Sequence, residues 1–412
     1  MADPQRTRTT YFYELWRAGT AGILETAGST FLLTIAVRAF SAGAFAKSAV
    51  AGAGSVGLLL SPVVVAFVTN RRWRTSQAAA RILAVGAASF LMAAAVPLLP
   101  VFVACSVVGM ASSAAIIPLL TQMYQDNYPE RERGRRFSRT VMIRIAMAAL
   151  FSKLAGDALG GERLEGFRWL LVVFGGALGF ASFCLARCPT EPIPHDEYAH
   201  PLRALRFARD DKVFRHTLIC WMLMGFGNLM MLPLRIEYLA NEKYHPGQIL
   251  SVGMIALLTG VIPNLARLVL SPVWGHLFDR VNFFALRAAL NVGFAIGILA
   301  FFTSGSFWGL VAGAVVYGIS NAGGDVAWSL WVTKLAPPER VADYMSVHTF
   351  LTGVRGVLAP AAAFAFVSRL PLALLAGISC ALILAASALL LPEMKAGRKA
   401  RPGSALVEEI SE

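Results

Sequence analysis

Leu270-Ser271-Pro272-Val273-Trp274-Gly275-His276-Leu277-Phe278-Asp279-Arg280 decides the fold, because its first four residues repeat Leu60-Ser61-Pro62-Val63 at an offset of 210 residues. Pro129-Glu130-Arg131 likewise returns as Pro338-Glu339-Arg340, at an offset of 209. One short match arises readily by chance. Two at nearly one offset, close to half of a 412-residue chain, imply duplication of a large unit.

That unit is built from membrane-spanning helices. The chain is 57% hydrophobic and only 15% charged, whereas soluble domains carry about 25% charged residues. Apolar stretches such as Phe90–Met110, Leu170–Leu185, Phe294–Phe302 and Leu370–Leu391 recur along its whole length. About 20 mostly apolar residues suffice to cross the hydrocarbon core. The pattern predicts twelve spans, at 17–38, 43–68, 77–97, 99–123, 140–159, 168–187, 215–239, 249–275, 284–303, 307–333, 344–367 and 370–391. The Leu-Ser-Pro-Val copies then end spans 2 and 8, and the Pro-Glu-Arg copies fill the loops after spans 4 and 10. The expected fold is all-α and integral to the membrane, with twelve transmembrane helices in two pseudo-symmetric six-helix bundles. The halves fall at 1–187 and 215–392, joined by a cytoplasmic linker at 188–214 and followed by a disordered tail at 393–412. Pro189, Pro192, Pro194 and Pro201 start the linker as extended chain. Leu202, Leu205, Phe207, Val213 and Phe214, interleaved with Arg203, Arg206, Arg209 and Lys212, suit a basic helix on the membrane surface.

A net charge of +13 does not signal nucleic acid, because no basic patch is paired with an aromatic stacking surface. The charge comes from loops on one membrane face. One set of connections carries Arg6, Arg8, Arg71, Arg72, Arg74, the Arg131–Arg139 cluster, Arg203–Arg215, Arg280, Arg287, Lys334, Arg340 and Lys395–Arg401. The other carries only Arg38, Lys47, Arg163, Arg168, Lys243 and Arg369. This asymmetry puts both termini in the cytoplasm of a multi-pass protein of the cell's inner membrane. Cys105, Cys184, Cys188, Cys220 and Cys380 fall in apolar segments and give no disulfide framework. His195-Asp196-Glu197 with His200 lacks the H-E-x-x-H spacing, so no metal is expected. No Gly-rich phosphate loop and no Gly-x-Ser-x-Gly elbow occur, so neither a cofactor nor an enzymatic activity is expected. The polar opening Met1–Thr10 carries no cleavable signal, and the first span is expected to be retained.

Gly275-His276-Leu277-Phe278-Asp279-Arg280, between spans 8 and 9, fits G-x-x-x-D-R. Tyr128-Pro129-Glu130-Arg131 with Gly134-Arg135 fills the loop after span 4. In these motifs, in span count, in duplication and in its long central loop, the chain resembles the major facilitator superfamily of secondary transporters. The resemblance implies a small-molecule substrate, a proton or other coupling ion for symport or antiport, and a monomer working in the lipid bilayer. It also implies that Asp279 and Arg280, with Gly275, form a cytoplasmic latch between helices. A carboxylate at a helix N-terminus meets the positive end of the helix dipole; the alternative is that Asp279 merely caps a helix. The first half departs from the motif. Thr69 and Asn70 stand at the places of Asp279 and Arg280, and Val65 at that of Gly275. Span 4 has no internal arginine and span 5 lacks the glycine-proline pattern of drug–proton antiporters, so that branch is not supported.

Charges within the spans carry the functional reading. A charge at the bilayer centre costs about 2.5–3.5 kcal/mol on insertion scales, so such groups face a cavity or a partner. Arg267 shares a face of span 8 with Asn264 and Ser271, and Arg355 shares a face of span 11 with Thr352 and His348. Two arginines in the C-terminal half suit an anion, since a guanidinium grips carboxylate or phosphate with two hydrogen bonds. The resemblance adds that organic-anion members place cations on spans 8 and 11. The competing reading is that each arginine neutralises an internal acid. Asn321 and Trp328 of span 10 complete the expected substrate set. Glu25 of span 1, on a face with Gly22 and Ser29, is the expected proton carrier, with Asp325 of span 10 as a second. A fixed pairing of Asp325 with Arg355 or Arg267 is the stronger expectation for that residue. Lys153 and Asp157 are placed to pair, Arg144 to snorkel, Arg235 and Glu237 to sit at the outer interface, and Trp169 and Trp308 to anchor span starts. The expected function is alternating-access transport of a small organic anion, proton-coupled, at the midplane. The alternative is export or flipping of an amphipathic drug or lipid.

Overall fold

The computed structural model describes residues 4–159, 166–192, 205–244, 250–336 and 341–396. His195, His200 and the second Pro-Glu-Arg copy lie outside them. Among the described residues, eleven helices are long and apolar enough to cross a membrane. They are Pro4–Arg38, Ala44–Asn70, Thr75–Ala95, Leu99–Asn127, Phe167–Ala186, Lys212–Ala240, Val252–Phe278, Phe283–Thr303, Phe307–Trp328, Tyr344–Phe366 and Leu372–Met394. A further helix, Glu130–Ala158, occupies the place of span 5. It is as long as its neighbours but carries Arg144, Lys153 and Asp157, which lower its hydropathy. Twelve helices thus match the expected spans in order, and the fold is all-helical.

Local chemistry sets the helix ends. Asn282 caps span 9, its side chain accepting from Phe284 N and Ala285 N at 2.9 and 3.3 Å. Ser251 and Ser306 cap spans 8 and 10 in the same way, each accepting at 3.2 Å. The linker helix, Leu205–Asp210, is only six residues long. Asp211 Oδ1 then accepts from Phe214 N at 2.9 Å and starts span 7 at Lys212, earlier than hydropathy alone suggests. The repeated Leu-Ser-Pro-Val motifs do not end their spans. Pro62 and Pro272 lie inside helices that run on to Asn70 and Arg280. Pro62 leaves the Leu58 carbonyl without its helical donor. The Ser61 hydroxyl donates to that carbonyl at 2.8 Å, which keeps the backbone satisfied in an apolar medium.

Two compact units divide the described chain. The first comprises Met1–Pro201 with Ile236–Val261, and the second Leu202–Arg235 with Ile262–Glu412. In the first, span 3 packs on span 6, span 2 on span 4, and span 1 on spans 5 and 6. A side chain on Gly57 would strike the Ala111 backbone, and one on Gly22 the Arg144 carbonyl, so both contacts require glycine. The end of span 7 is tied into this unit. Lys47 Nζ meets both oxygens of Glu237 at 2.7 Å, and Arg38 donates to the Ala240 and Leu250 carbonyls at 2.7 and 2.8 Å. Each of spans 1 and 8 widens into a π-helical turn in this unit, at Ala27–Phe31 and Leu257–Val261. The Thr30 and Thr259 hydroxyls of those turns meet at 3.1 Å. In the second unit, span 10 packs on spans 8 and 9, and span 12 on span 9. Phe207, Tyr344, Phe214, Trp331 and Trp221 form a chain of ring contacts running from the linker helix into span 7.

Candidate functional site

The charged residues expected to act together separate into two clusters in the second unit. In the first, Arg267 Nε donates to Asp325 at 2.5 Å and Arg267 Nη1 to Asn264 at 3.2 Å. Arg267 is 4% exposed, so this pair neutralises a buried charge. Spans 8 and 10 position it, and the i−3 spacing of Asn264 brings the amide onto the same face. Arg267 is therefore the arginine held by an internal acid. Asn321 sits one turn before Asp325 on span 10 and is half-buried.

Arg355 belongs to the second cluster, which is organised around Trp221 of span 7. The Arg287 guanidinium lies 4.0 Å from the Trp221 ring centroid and that of Arg355 lies 5.9 Å away. The His348 ring meets Trp221 at 5.2 Å, Trp331 at 5.1 Å and Trp328 at 5.6 Å. Arg287, Arg355, His348, Trp221 and Trp331 are all buried. Arg355 Nη1 donates to the Trp221 carbonyl, and Arg287 Nη2 approaches Met224 Sδ at 2.8 Å. Among the described residues neither guanidinium has a carboxylate partner. Arg355 Nε, His348 Nε2, Trp221 Nε1 and Trp331 Nε1 are buried nitrogens without a hydrogen-bond partner among the described residues. Gly225 makes the close approach possible, since a side chain there would overlap the Arg355 guanidinium. Aromatic faces attract the two cations, but they supply no compensating negative charge. Chemically, this is a buried box of unpartnered nitrogens around two positive charges that share Trp221.

Several expectations are corrected. Arg287, read as a loop cation, lies inside span 9 at 3% exposure. The predicted span 284–303 already enclosed it, and Asn282, a helix-capping residue just before Phe283, marks the helix start. Arg235 and Glu237, expected at the outer interface, are packed inside protein at 6% and 3% exposure. The Arg235 guanidinium stacks 3.8 Å from the Tyr317 ring centroid, with Nε and Nη1 unpartnered. Asp279 does not stand at a helix N-terminus. The helix Ile262–Arg280 runs through it, and Asn282 caps the next one. The Asp279 side chain lies outside the described residues, Arg280 is exposed, and a side chain on Gly275 would meet nothing within 4 Å.

In the first unit, Glu25 pairs with Arg144 at 3.1 Å, so Arg144 is more than a snorkelling cation. Lys153 pairs with Asp157 at 2.7 Å across one helical turn. Sequence reasoning missed a buried group near the start of span 1. Glu14 accepts from Arg17 at 2.6 and 2.9 Å and from the Tyr124 hydroxyl at 2.5 Å. Its i, i+3 spacing to Arg17 was the available signal, but Glu14 precedes the apolar run. Among the described residues no cluster of His, Cys, Asp and Glu is placed to hold a metal ion.

The described residues thus form a twelve-helix all-α membrane protein with charged side chains buried within its spans. Residues 230–409 match the model of the Major Facilitator Superfamily. No curated protein matches the chain by sequence. Among solved structures, a point mutant of the nucleoside transporter NupG is similar with a TM-score of 0.75 at 14% identity, over 92% of this chain and 99% of that one. A D-xylose–proton symporter is similar with a TM-score of 0.70 at 15% identity, over 94% and 97%. A POT family transporter in complex with 5-aminolevulinic acid gives 0.72 at 11% identity, over 95% and 97%. Over its length the chain shares the fold of these solved structures, and its C-terminal part, under half of the chain, is similar to the superfamily's model.

Proposed function

We propose that the protein moves a small organic anion across the cell's inner membrane by alternating access, with both termini cytoplasmic. The observation that carries this reading is the pair Arg287 and Arg355, buried side by side at Trp221 without an acid among the described residues. Two adjacent unneutralised charges in a desolvated site are costly, and a bound carboxylate or phosphate removes that cost. The unpartnered Arg355 Nε, His348 Nε2 and Trp indole nitrogens offer the donors such an anion needs. A structural relative binds 5-aminolevulinic acid, a carboxylate, within the same fold. Arg267 is assigned a supporting role, because Asp325 already satisfies it.

Thermal denaturation of the purified protein tests the reading. Carboxylates and phosphate esters are expected to raise the melting temperature, while neutral and cationic compounds of the same size leave it unchanged. Stabilisation by the neutral or cationic compounds alone would sink the anion assignment.

Proton coupling is assigned to Glu25, a half-buried carboxylate whose partner Arg144 is itself part-exposed. A proton-coupled relative with the same fold, the D-xylose–proton symporter, supports the class of mechanism. In proteoliposomes with an imposed pH gradient, Glu25→Gln is expected to lose gradient-driven uptake yet keep exchange of the anion down its own gradient. Gradient-driven uptake that survives intact in that variant removes Glu25 as the carrier.

A further inference from the structure

A groove of about 790 Å³ opens on the second unit, walled by the linker helix, span 7 and span 11. Ile219, Met222 and Phe226 form one wall and Leu351 and Leu358 the other, with Leu205 at the linker end. The span 7 residues recur at three- and four-residue spacing from Arg215, so they make one continuous helical face. Arg215 to Phe226 is eleven residues, about 16 Å of helix. That is close to half of a hydrocarbon core about 30 Å thick, the depth of one leaflet. Three arginines break the apolar lining, and their positions are not random. Arg209 and Arg215 stand at the linker end, where Arg215 Nη1 donates to the Arg209 carbonyl at 2.5 Å. Arg355 stands at the other end, near the middle of span 11, 6% exposed and with Nε unpartnered.

Alkyl chains of bulk lipid would fill an apolar groove without any need for cations. A small polar solute would not need a leaflet-deep apolar wall. The combination suits a molecule with both parts. The volume lies within the range of about 300–1,000 Å³ typical of sites for one small ligand, which favours one alkyl chain over two.

We propose that this groove takes a single-chain anionic amphiphile from the leaflet on the side of the termini. Arg209 and Arg215 capture its head at the headgroup level, and Arg355, near the middle of span 11, receives it together with Arg287 at Trp221, while the tail stays on the apolar wall. This rests on the anion reading given above and names the substrate class of that site. Basic residues at the headgroup level attract anionic heads, and the arginines at both ends offset desolvation of a head that moves inward.

The test uses the full chain in nanodiscs of zwitterionic lipid, titrated with inorganic phosphate, hexyl phosphate and dodecyl phosphate. Binding is read from the melting temperature and from tryptophan fluorescence, since Trp221 borders the anion box. Dodecyl phosphate is expected to bind at least tenfold tighter than inorganic phosphate. Ile219→Trp with Leu358→Trp fills the groove; it is expected to erase that gain and leave inorganic phosphate binding unchanged. Arg209→Gln with Arg215→Gln is expected to weaken dodecyl phosphate at least threefold. Chain-length independence, with phosphate binding that still requires Arg355, overturns the groove and leaves the anion reading standing. A gain that persists in the filled groove also overturns it, because the gain would then come from partition into the bilayer. Failure of every phosphate to bind overturns both.

Discussion

Arg355→Ala is expected to remove anion-dependent stabilisation and to weaken anion binding by thirty-fold or more. Truncating one partner of a buried, hydrogen-bonded charge pair costs about 2–5 kcal/mol, and each 1.4 kcal/mol is tenfold in affinity. The site predicts more than a loss. Arg287 and Arg355 share Trp221 without an acid among the described residues, so each raises the cost of the other while no anion is bound. Arg287→Met should therefore raise the melting temperature of the unliganded protein while still lowering anion affinity. A purely structural arginine would behave the other way: its loss would lower the unliganded melting temperature and leave the ligand-induced shift intact. Arg355→Lys should not rescue binding. An ammonium offers a point charge and cannot reproduce the planar fork that bonds the Trp221 carbonyl and an anion together. Calorimetric titration of the variants with the best-stabilising anion checks the affinities. An unchanged dissociation constant in Arg355→Ala would end the assignment.

How much of this was legible follows from what a linear pattern encodes. Spans emerged from hydropathy because crossing a membrane needs a continuous apolar length, and length is a one-dimensional property. The duplication emerged from two offsets for the same reason. Partner identity did not. Arg267 and Asp325 are 58 residues apart, and which faces of spans 8 and 10 turn toward each other depends on packing that no local period records. Arg355 looked equivalent to Arg267, since both sit mid-span with polar neighbours at helical spacing. Only the structure separates them, giving one an acid and the other three rings with unpartnered nitrogens and a second cation. Arg287 was hidden differently. Its proximity to Arg280 made a basic loop the natural reading, although Asn282 caps a helix that already encloses it. Glu14 was missed because buried structure begins before the apolar run does. Thr7 and Thr10 are buried too, tied to Asn127 through its carbonyl and its side-chain amide. The first helix there packs against protein, and burial against protein leaves no hydropathy signal.

Asp325→Ala is expected to be the most destabilising single change, and for a reason distinct from binding. It leaves the Arg267 guanidinium, 4% exposed in span 8, without its carboxylate, and the neutral Asn264 amide cannot replace that charge. Breaking a buried pair from one side costs about 3–5 kcal/mol, because the surviving charge is uncompensated. Removing Glu237 should cost less, although its side chain is 4% exposed against 33% for Asp325. Its partner Lys47 is close to the start of span 2, where a flexible stem lets the ammonium reach the interface. Arg267 has no such escape at mid-span. Removing both charges tests the argument. Arg267→Met with Asp325→Leu should recover most of the loss, since a well-packed apolar pair often matches or exceeds a buried ion pair. The two single changes and the double form a mutant cycle, and their coupling should exceed about 2 kcal/mol, within the range measured for contacting residues. Additive losses would mean that Asp325 stabilises through something other than Arg267. The recovered double variant also separates scaffold from site. With the Arg287–Arg355 box untouched, it should still show the anion-induced rise in melting temperature. Loss of that rise in a well-folded double variant would move Arg267 from a supporting role into the binding site itself.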